Sequence, residues 1–417
     1  MCRRRMEVRE PHLDLVVPRS SRSQRSFRSP CWLQQLEGNS VRSLYIVAGT
    51  TMAGVSSVFA LLAEIHNTYG IAERDLGWIA GSAFVGALVT QLWLSRYADR
   101  GHGGLLMRLG VLASAAGLLW FAAADQLWQF VVARSLLGAG VGVIVPAARR
   151  FIIVTAGADQ GRQLGAFYGA YLAGFVIGPP IAGALTVAFD VRAPFLALGA
   201  VTTLSYLSVR RLEIPAADMD ERSSKGVLRR LVRSREMVAA LLVVVSFRYS
   251  VGVFEPLWAP HMDNLGASTM IVTLSLSAFA LPMLVIARWA GGLSDRHSPR
   301  LTSLLSALAT VPMMASYGWI TAVPVLFVAM LPHGIMEAIQ SPGSQAAVAE
   351  AAPMDDAASA QGLGEAMGSA ASMIGALSAA PIYAWLGPGP AFLIAALTMA
   401  GLLGLSWLLD PPLKKQQ

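Results

Sequence analysis

The strongest constraint in this 417-residue chain is a succession of apolar runs separated by short polar breaks. Each run is close to the about 20 residues that a helix needs to cross the hydrocarbon core of a bilayer. The runs fall at 44–64, 77–98, 105–124, 128–150, 164–188, 192–209, 237–258, 268–291, 301–320, 323–345, 362–386 and 389–409. They predict an all-α integral membrane protein with about twelve transmembrane helices. Composition agrees: 14% of residues are charged and 55% hydrophobic, against about 25% charged in soluble domains. The two cysteines, Cys2 and Cys31, offer neither a disulfide framework nor a metal-thiolate site. No metal or cofactor is expected.

Charge sets the expected topology. Residues 1–40 are rich in Arg and Ser and have no apolar core, so they are not a secretory signal peptide. They read as a disordered cytoplasmic tail, or as an extension upstream of the working start. With the N-terminus inside, the outer loops hold only Arg74 and Arg192. The inner side takes the tail, Arg96, Arg100, Arg108, Arg149, Arg150, Arg162, Arg296, Arg300, Lys414, Lys415 and the 210–236 loop, which has eight basic and five acidic residues. Basic residues favour the cytoplasmic side. The net charge of +7 therefore reports topology in the cytoplasmic membrane and contact with anionic lipid, not a nucleic-acid partner. The expected organisation is a 1–40 tail, a first half at 41–209, a cytoplasmic loop at 210–236, a second half at 237–410 and a short cytoplasmic tail at 411–417.

Three local patterns carry more information. Within 164–188 the small residues Gly165, Gly174, Gly178, Pro179 and Gly183 recur in GAFYGAYLAGFVIGPPIAG. In water so much Gly and Pro would break a helix, but in a bilayer it lets helices approach closely. Span 128–150 contains Arg134, Gly138 and Gly140 as Arg-x-x-x-Gly-x-Gly. The loops SRYADRGHGG, with Asp99 and Arg100, and GGLSDRHSPR, with Asp295, Arg296 and Arg300, lie 196 residues apart, near half the chain.

Together these patterns resemble the drug:proton antiporters of the major facilitator superfamily. The Gly165–Gly183 stretch resembles that family's motif C, with Ala182 in place of one glycine. Arg134, Gly138 and Gly140 resemble motif B, and the paired loops resemble motif A. The first loop lacks the motif's Gly and its trailing arginines, whereas the second keeps Gly291, Leu293, Asp295, Arg296 and Arg300. The resemblance implies two six-helix pseudo-symmetric halves related as parallel repeats, and alternating access. It implies that Asp99, Arg100, Asp295, Arg296 and Arg300 latch helices at an inner gate. It also implies that Gly174, Gly178 and Pro179 pack against the opposite half, and that helices 1, 4, 7 and 10 line a central cavity.

The ionisable residues left inside the spans fall largely on those four helices: Glu64 on the first, Arg134 on the fourth, Arg248 and Glu255 on the seventh, His333 and Glu337 on the tenth. Such residues mark substrate or proton pathways. Arg248 lies eleven residues into its span and Glu337 fourteen into its own, so similar depth suggests a midplane pair with Glu337 as the proton-titrating carboxylate. Glu64 and Glu255 lie toward the outer interface, where hydration alone would also account for them. His333 fits either a proton relay or a polar cavity wall. The middle of the first span has no acidic residue, unlike many drug antiporters.

Three functions fit these features unequally. Proton-coupled efflux of amphipathic, drug-like molecules comes first, and a permease for a specific metabolite such as an organic acid comes second, with Arg134 or Arg248 as a carboxylate clamp. A membrane enzyme comes last, since the chain has no Walker A loop, no Gly-x-Ser-x-Gly elbow and no metal-ligand spacing. The expected partners are a small-molecule substrate, protons and the bilayer, and the working unit is expected to be a monomer.

Overall fold

The computed structural model describes residues 31–97, 101–155, 159–214, 226–353 and 356–410, and the regular structure there is helical throughout. The first half contains α1 (Cys31–Ala60), α2 (Leu62–Tyr69), a 3-10 turn at Glu73–Asp75, α3 (Leu76–Tyr97), α4 (Gly103–Ala123), α5 (Leu127–Thr155), α6 (Gln160–Ala188) and α7 (Ala193–Val209). A short α8 (Val227–Leu231) lies in the connection. The second half contains α9 (Arg235–Asn264), α10 (Thr269–Val285), α11 (Ala287–Arg296), α12 (Pro299–Tyr317), α13 (Val323–Glu350), α14 (Ala357–Leu386) and α15 (Pro388–Leu409).

Among the described residues, nine helices are long and apolar enough to cross a membrane. The shorter apolar α7 and α10, the latter continued by α11, and the less apolar α12 follow the remaining apolar runs in order. Large apolar side chains such as Leu92, Val187, Leu204 and Leu408 point outward, while the interior of each half is also apolar. An aliphatic surface of this kind suits lipid. Exposed Trp78, Trp120, Trp128, Trp319 and Trp385 lie near helix termini at one end of the bundle, and Trp93 and Trp289 lie toward the other. These are the levels at which Trp anchors to the two membrane interfaces.

Three departures from the expected boundaries have local causes. The first helix starts at Cys31, so residues 31–40 of the expected tail are helical. It breaks at Leu61, just after Ser56 and Ser57 turn their hydroxyls back onto the Ala53 carbonyl at 3.2 and 2.6 Å, a bond that bends helices. The seventh apolar run does not end at 258: α9 continues through Pro256 and Pro260 to Asn264. Each proline removes only its own N–H, and bonds from the His261 ring to the Tyr317 carbonyl (3.1 Å) and the Tyr383 hydroxyl (3.0 Å) hold the last turns against α12 and α14.

Within the first half α5 packs on α3 and α4, and α1 on α6; within the second, α9 packs on α14 and α15, and α12 on α13 and α15. The halves meet along α3–α14 and α6–α10. The 210–236 connection is more than a charged loop, because Val227 and Leu231 of α8 bury against the second half. Arg230 anchors it by an ion pair to Asp356 at 2.6 Å.

Candidate functional site: a charged centre between two halves

Small residues set how close the helices come. A Cβ on Gly174 would lie 2.1 Å from the Gly49 carbonyl oxygen, and one on Gly178 2.4 Å from that of Ala53, so both glycines let α6 lie directly on α1. This corrects, for Gly174 and Gly178, the expectation that they and Pro179 meet the opposite half. Residues 174 and 178 share one face of α6, and that face turns to α1. The opposite half is met by Gly183, where a Cβ would lie 2.3 Å from Thr273 Oγ1, and by the Val176 carbonyl, which accepts from Ser277 at 2.6 Å. Gly165 faces open space. In α5, Gly138 admits the α3 backbone at Ala83, and Gly140 admits α4 at Ser114 and Gly110.

These contacts orient Arg134 toward the centre. It is 1% exposed, donates to the Val55 carbonyl at 3.1 Å, and forms an ion pair with Glu255, itself 6% exposed. The pair joins α5 of one half to α9 of the other. Both residues were recognisable as intramembrane charges, but their pairing was not. Arg134 is seven residues from the start of α5, and Glu255 is nine from the end of α9 rather than three from the end of the apolar run. At 1.5 Å per residue the true helix end brings the two to similar depth.

Glu337 is 3% exposed on α13. The Ser250 hydroxyl of α9 lies 3.4 Å from Glu337 Oε1 and also 2.7 Å from the Phe247 carbonyl of its own helix. His333 Nε2 is 3.4 Å from the same carboxylate oxygen, and its Nδ1 is 2.8 Å from the Tyr317 hydroxyl. The His333 ring stacks on Tyr317 and stands edge-on to Phe279 in the aromatic core of the second half. The expected Arg248–Glu337 pair does not form among the described residues, although the two lie at similar depth. Arg248 instead turns toward α14: a Cβ on Gly368 would come 2.8 Å from its Cγ. Its side chain lines a cleft between α9, α13 and α14 with about 460 Å³ of atom-free space, part of it open to solvent.

Polar contacts across the halves cluster at one end. The Thr269 hydroxyl donates to the Glu64 carboxylate, Asn67 donates to Asp263 at 2.9 Å, and Asn264 donates to Glu73 at 2.7 Å. Glu64 is thus engaged in a contact between halves. Phe59 of α1 adds an edge-on contact to Phe254 of α9 at 6.2 Å. Toward the opposite end, where the cleft lies, the described cross-half side-chain contacts include Arg149–Glu365 at 3.6 Å and Ser369–Gln91 at 3.3 Å. The motif A expectation fares unevenly. Asp99 and Arg100 lie outside the described residues, as does the Asp295 side chain. Arg296 is exposed at the end of α11. Arg300 does not bridge the halves; it pairs with Asp410 and donates to the Ser406 carbonyl at 2.7 Å, tying α12 to the end of α15.

Comparison with known proteins agrees with this architecture. The family model of the Major Facilitator Superfamily matches residues 44–258 and 239–417. Multidrug resistance protein 1 of Bacillus subtilis (strain 168) is 25% identical over 275 residues, covering 62% of this chain and 70% of the relative. Multidrug resistance protein MdtG of Proteus mirabilis (strain HI4320) is 25% identical over 294 residues, covering 65% and 73%. A bacterial homologue of the human lysosomal transporter Spinster, in an inward-facing and unoccupied conformation, superposes with a TM-score of 0.77 at 12% identity, over 91% of this chain and 98% of that one. A D-xylose–proton symporter superposes with a TM-score of 0.73 at 16% identity, over 90% and 98%.

Proposed function

Because this chain belongs to the Major Facilitator Superfamily, and is thereby a membrane transporter rather than an enzyme, we propose that it expels amphipathic, drug-like small molecules across the cytoplasmic membrane in exchange for protons. In this reading both termini and α8 are cytoplasmic. The end closed by Glu64, Asn67 and Glu73 then faces outward, and the Arg248 cleft opens inward.

The observation that carries proton coupling is the Glu337 carboxylate, buried at mid-membrane with Ser250 and His333 as its polar neighbours. A carboxylate at that depth is neutralised by a proton or by a cation. The Ser250 hydroxyl has two acceptors in reach, Glu337 and the Phe247 carbonyl. An ionised Glu337 accepts from Ser250, and a protonated one releases it to its own helix. Protonation thereby alters the α9–α13 seam between Arg248, which lines the cleft, and Glu255, which holds the other half through Arg134. Relatives named for multidrug resistance support the export direction and the drug-like substrate class.

The test is transport of a fluorescent amphipathic dye in everted vesicles, with and without an imposed pH gradient. Gradient-dependent accumulation by the unmutated protein is expected. Glu337→Gln should abolish it while retaining downhill exchange. A Glu337→Gln protein that still accumulates dye against a gradient would refute the assignment.

A further inference from the structure

We propose that the cleft between α9, α13 and α14 binds a small amphipathic molecule carrying a single negative charge, with the Arg248 guanidinium as its clamp. The inference takes its purpose from the transport reading above, and narrows that reading to one class of substrate.

Charge accounting in the cleft comes first. Among the described residues Arg248 makes no ion pair and no side-chain hydrogen bond, and its Nε is shut off from solvent without a partner. Two nearby carboxylates are already paired with cations, Glu255 with Arg134 and Glu365 with Arg149 at 3.6 Å, and the Glu337 carboxylate lies within reach of the Ser250 hydroxyl. Glu365 lines the cleft as well and is set against Arg149, so once Glu337 takes up a proton Arg248 is left without a counter-charge. An unpaired cation within a membrane bundle is costly unless a counter-charge reaches it.

The second observation is where Arg248 lies. Gly368 of α14 leaves room for its stem, since a Cβ there would lie 2.8 Å from Cγ and 3.2 Å from Nε. The stem thus lies against α14 and the guanidinium lines the cleft, with its fork free for two parallel bonds to a carboxylate or sulfonate. The third is the lining: Val244, Phe247 and Val348 offer apolar surface, while Ser341, Ser344 and Gln345 add polar groups. The water-sized free space in the cleft is only about 80 Å³, below the about 300–1,000 Å³ of pockets that enclose a small ligand, so the cleft takes the charged head of a guest and leaves its apolar body in the open mouth. A cationic guest of the same shape would bring its charge against Arg248, so the site discriminates by repulsion as well as by attraction.

A matched pair of probes tests this, 1-naphthaleneacetate and 1-(1-naphthyl)ethylamine, which share an aromatic body and differ in the sign of their charge. Their affinities are measured by titration calorimetry on the full chain in lipid nanodiscs, without a proton gradient. The acid should bind at least about tenfold tighter than the amine. Arg248→Gln should remove that margin by weakening the acid alone, and Arg248→Lys should restore part of it. The comparison on the unmutated protein decides even where Arg248→Gln fails to fold. Equal affinities, no measurable binding of the acid, or full acid affinity in a folded Arg248→Gln protein overturns the proposal. Acid binding without gradient-driven movement would sink proton exchange and leave this site standing. Gradient-driven export of the amine without acid binding would do the reverse.

Discussion

Alanine at two glycines of the same helix should have opposite effects. At Gly174 a new Cβ would sit 2.1 Å from the Gly49 oxygen, 2.8 Å from its carbonyl carbon and 2.9 Å from its Cα. All three are backbone atoms, so no side chain can rotate away. Ordinary contact begins at 3.4 Å, so α1 and α6 would have to part by about 1.3 Å at this point. A gap of that size forfeits much of the dispersion along the seam. Overpacking of this kind costs about 1–3 kcal/mol, and the better helix propensity of alanine returns at most about 1 kcal/mol. A net loss of about 1–2 kcal/mol is expected for Gly174→Ala. Gly165 meets nothing within 4 Å, so Gly165→Ala should gain about 0.5–1 kcal/mol. The assay is thermal unfolding in detergent followed by tryptophan fluorescence, with both variants beside the parent. The parent midpoint should fall between the two. Equal midpoints, or a lower one for Gly165→Ala, would refute the close α1–α6 packing.

Two further outcomes are expected. Arg134→Ala or Glu255→Ala alone should cost about 3–5 kcal/mol by leaving a buried charge unpaired, and Arg134→Met with Glu255→Leu should recover most of it; a melting series over the four proteins checks this, and a double variant no better than the singles would contradict it. In a background lacking Cys2 and Cys31, a cysteine at exposed Thr321 should react with an impermeant maleimide added outside cells, and one at exposed Arg229 should not; the opposite pattern would invert the topology.

The helices were legible because each buries or offers to lipid a run of bilayer length, a property of neighbouring residues. Partners were less so. Glu255 looked interfacial because the apolar run ends at 258, whereas α9 carries Pro256 and Pro260 and continues to Asn264. Arg248 and Glu337 were matched by depth, but depth leaves rotation about each helix axis open, and rotation sends one toward Gly368 and the other toward Ser250. Thr269 and Glu64 are 205 residues apart, a separation over which no helical period carries information. The glycines showed that α6 is closely approached, but not by which neighbour. Arg300 took its expected gate role from a motif, while the structure binds it to Asp410 through the packing of α12 on α15.

The hydrogen bonds from Thr269, Asn67 and Asn264 across the closed end have an energetic consequence. Each has a carboxylate as acceptor and is worth about 1.5–3 kcal/mol before solvent screening, which lowers the two exposed ones, so together they resist opening by several kcal/mol. One elementary charge falling through 100 mV releases about 2.3 kcal/mol. A single ion's descent is thus of the same order as the closure it has to undo. Two of these three bonds are exposed, and water competing for the carboxylates there keeps the barrier near what each turnover can supply.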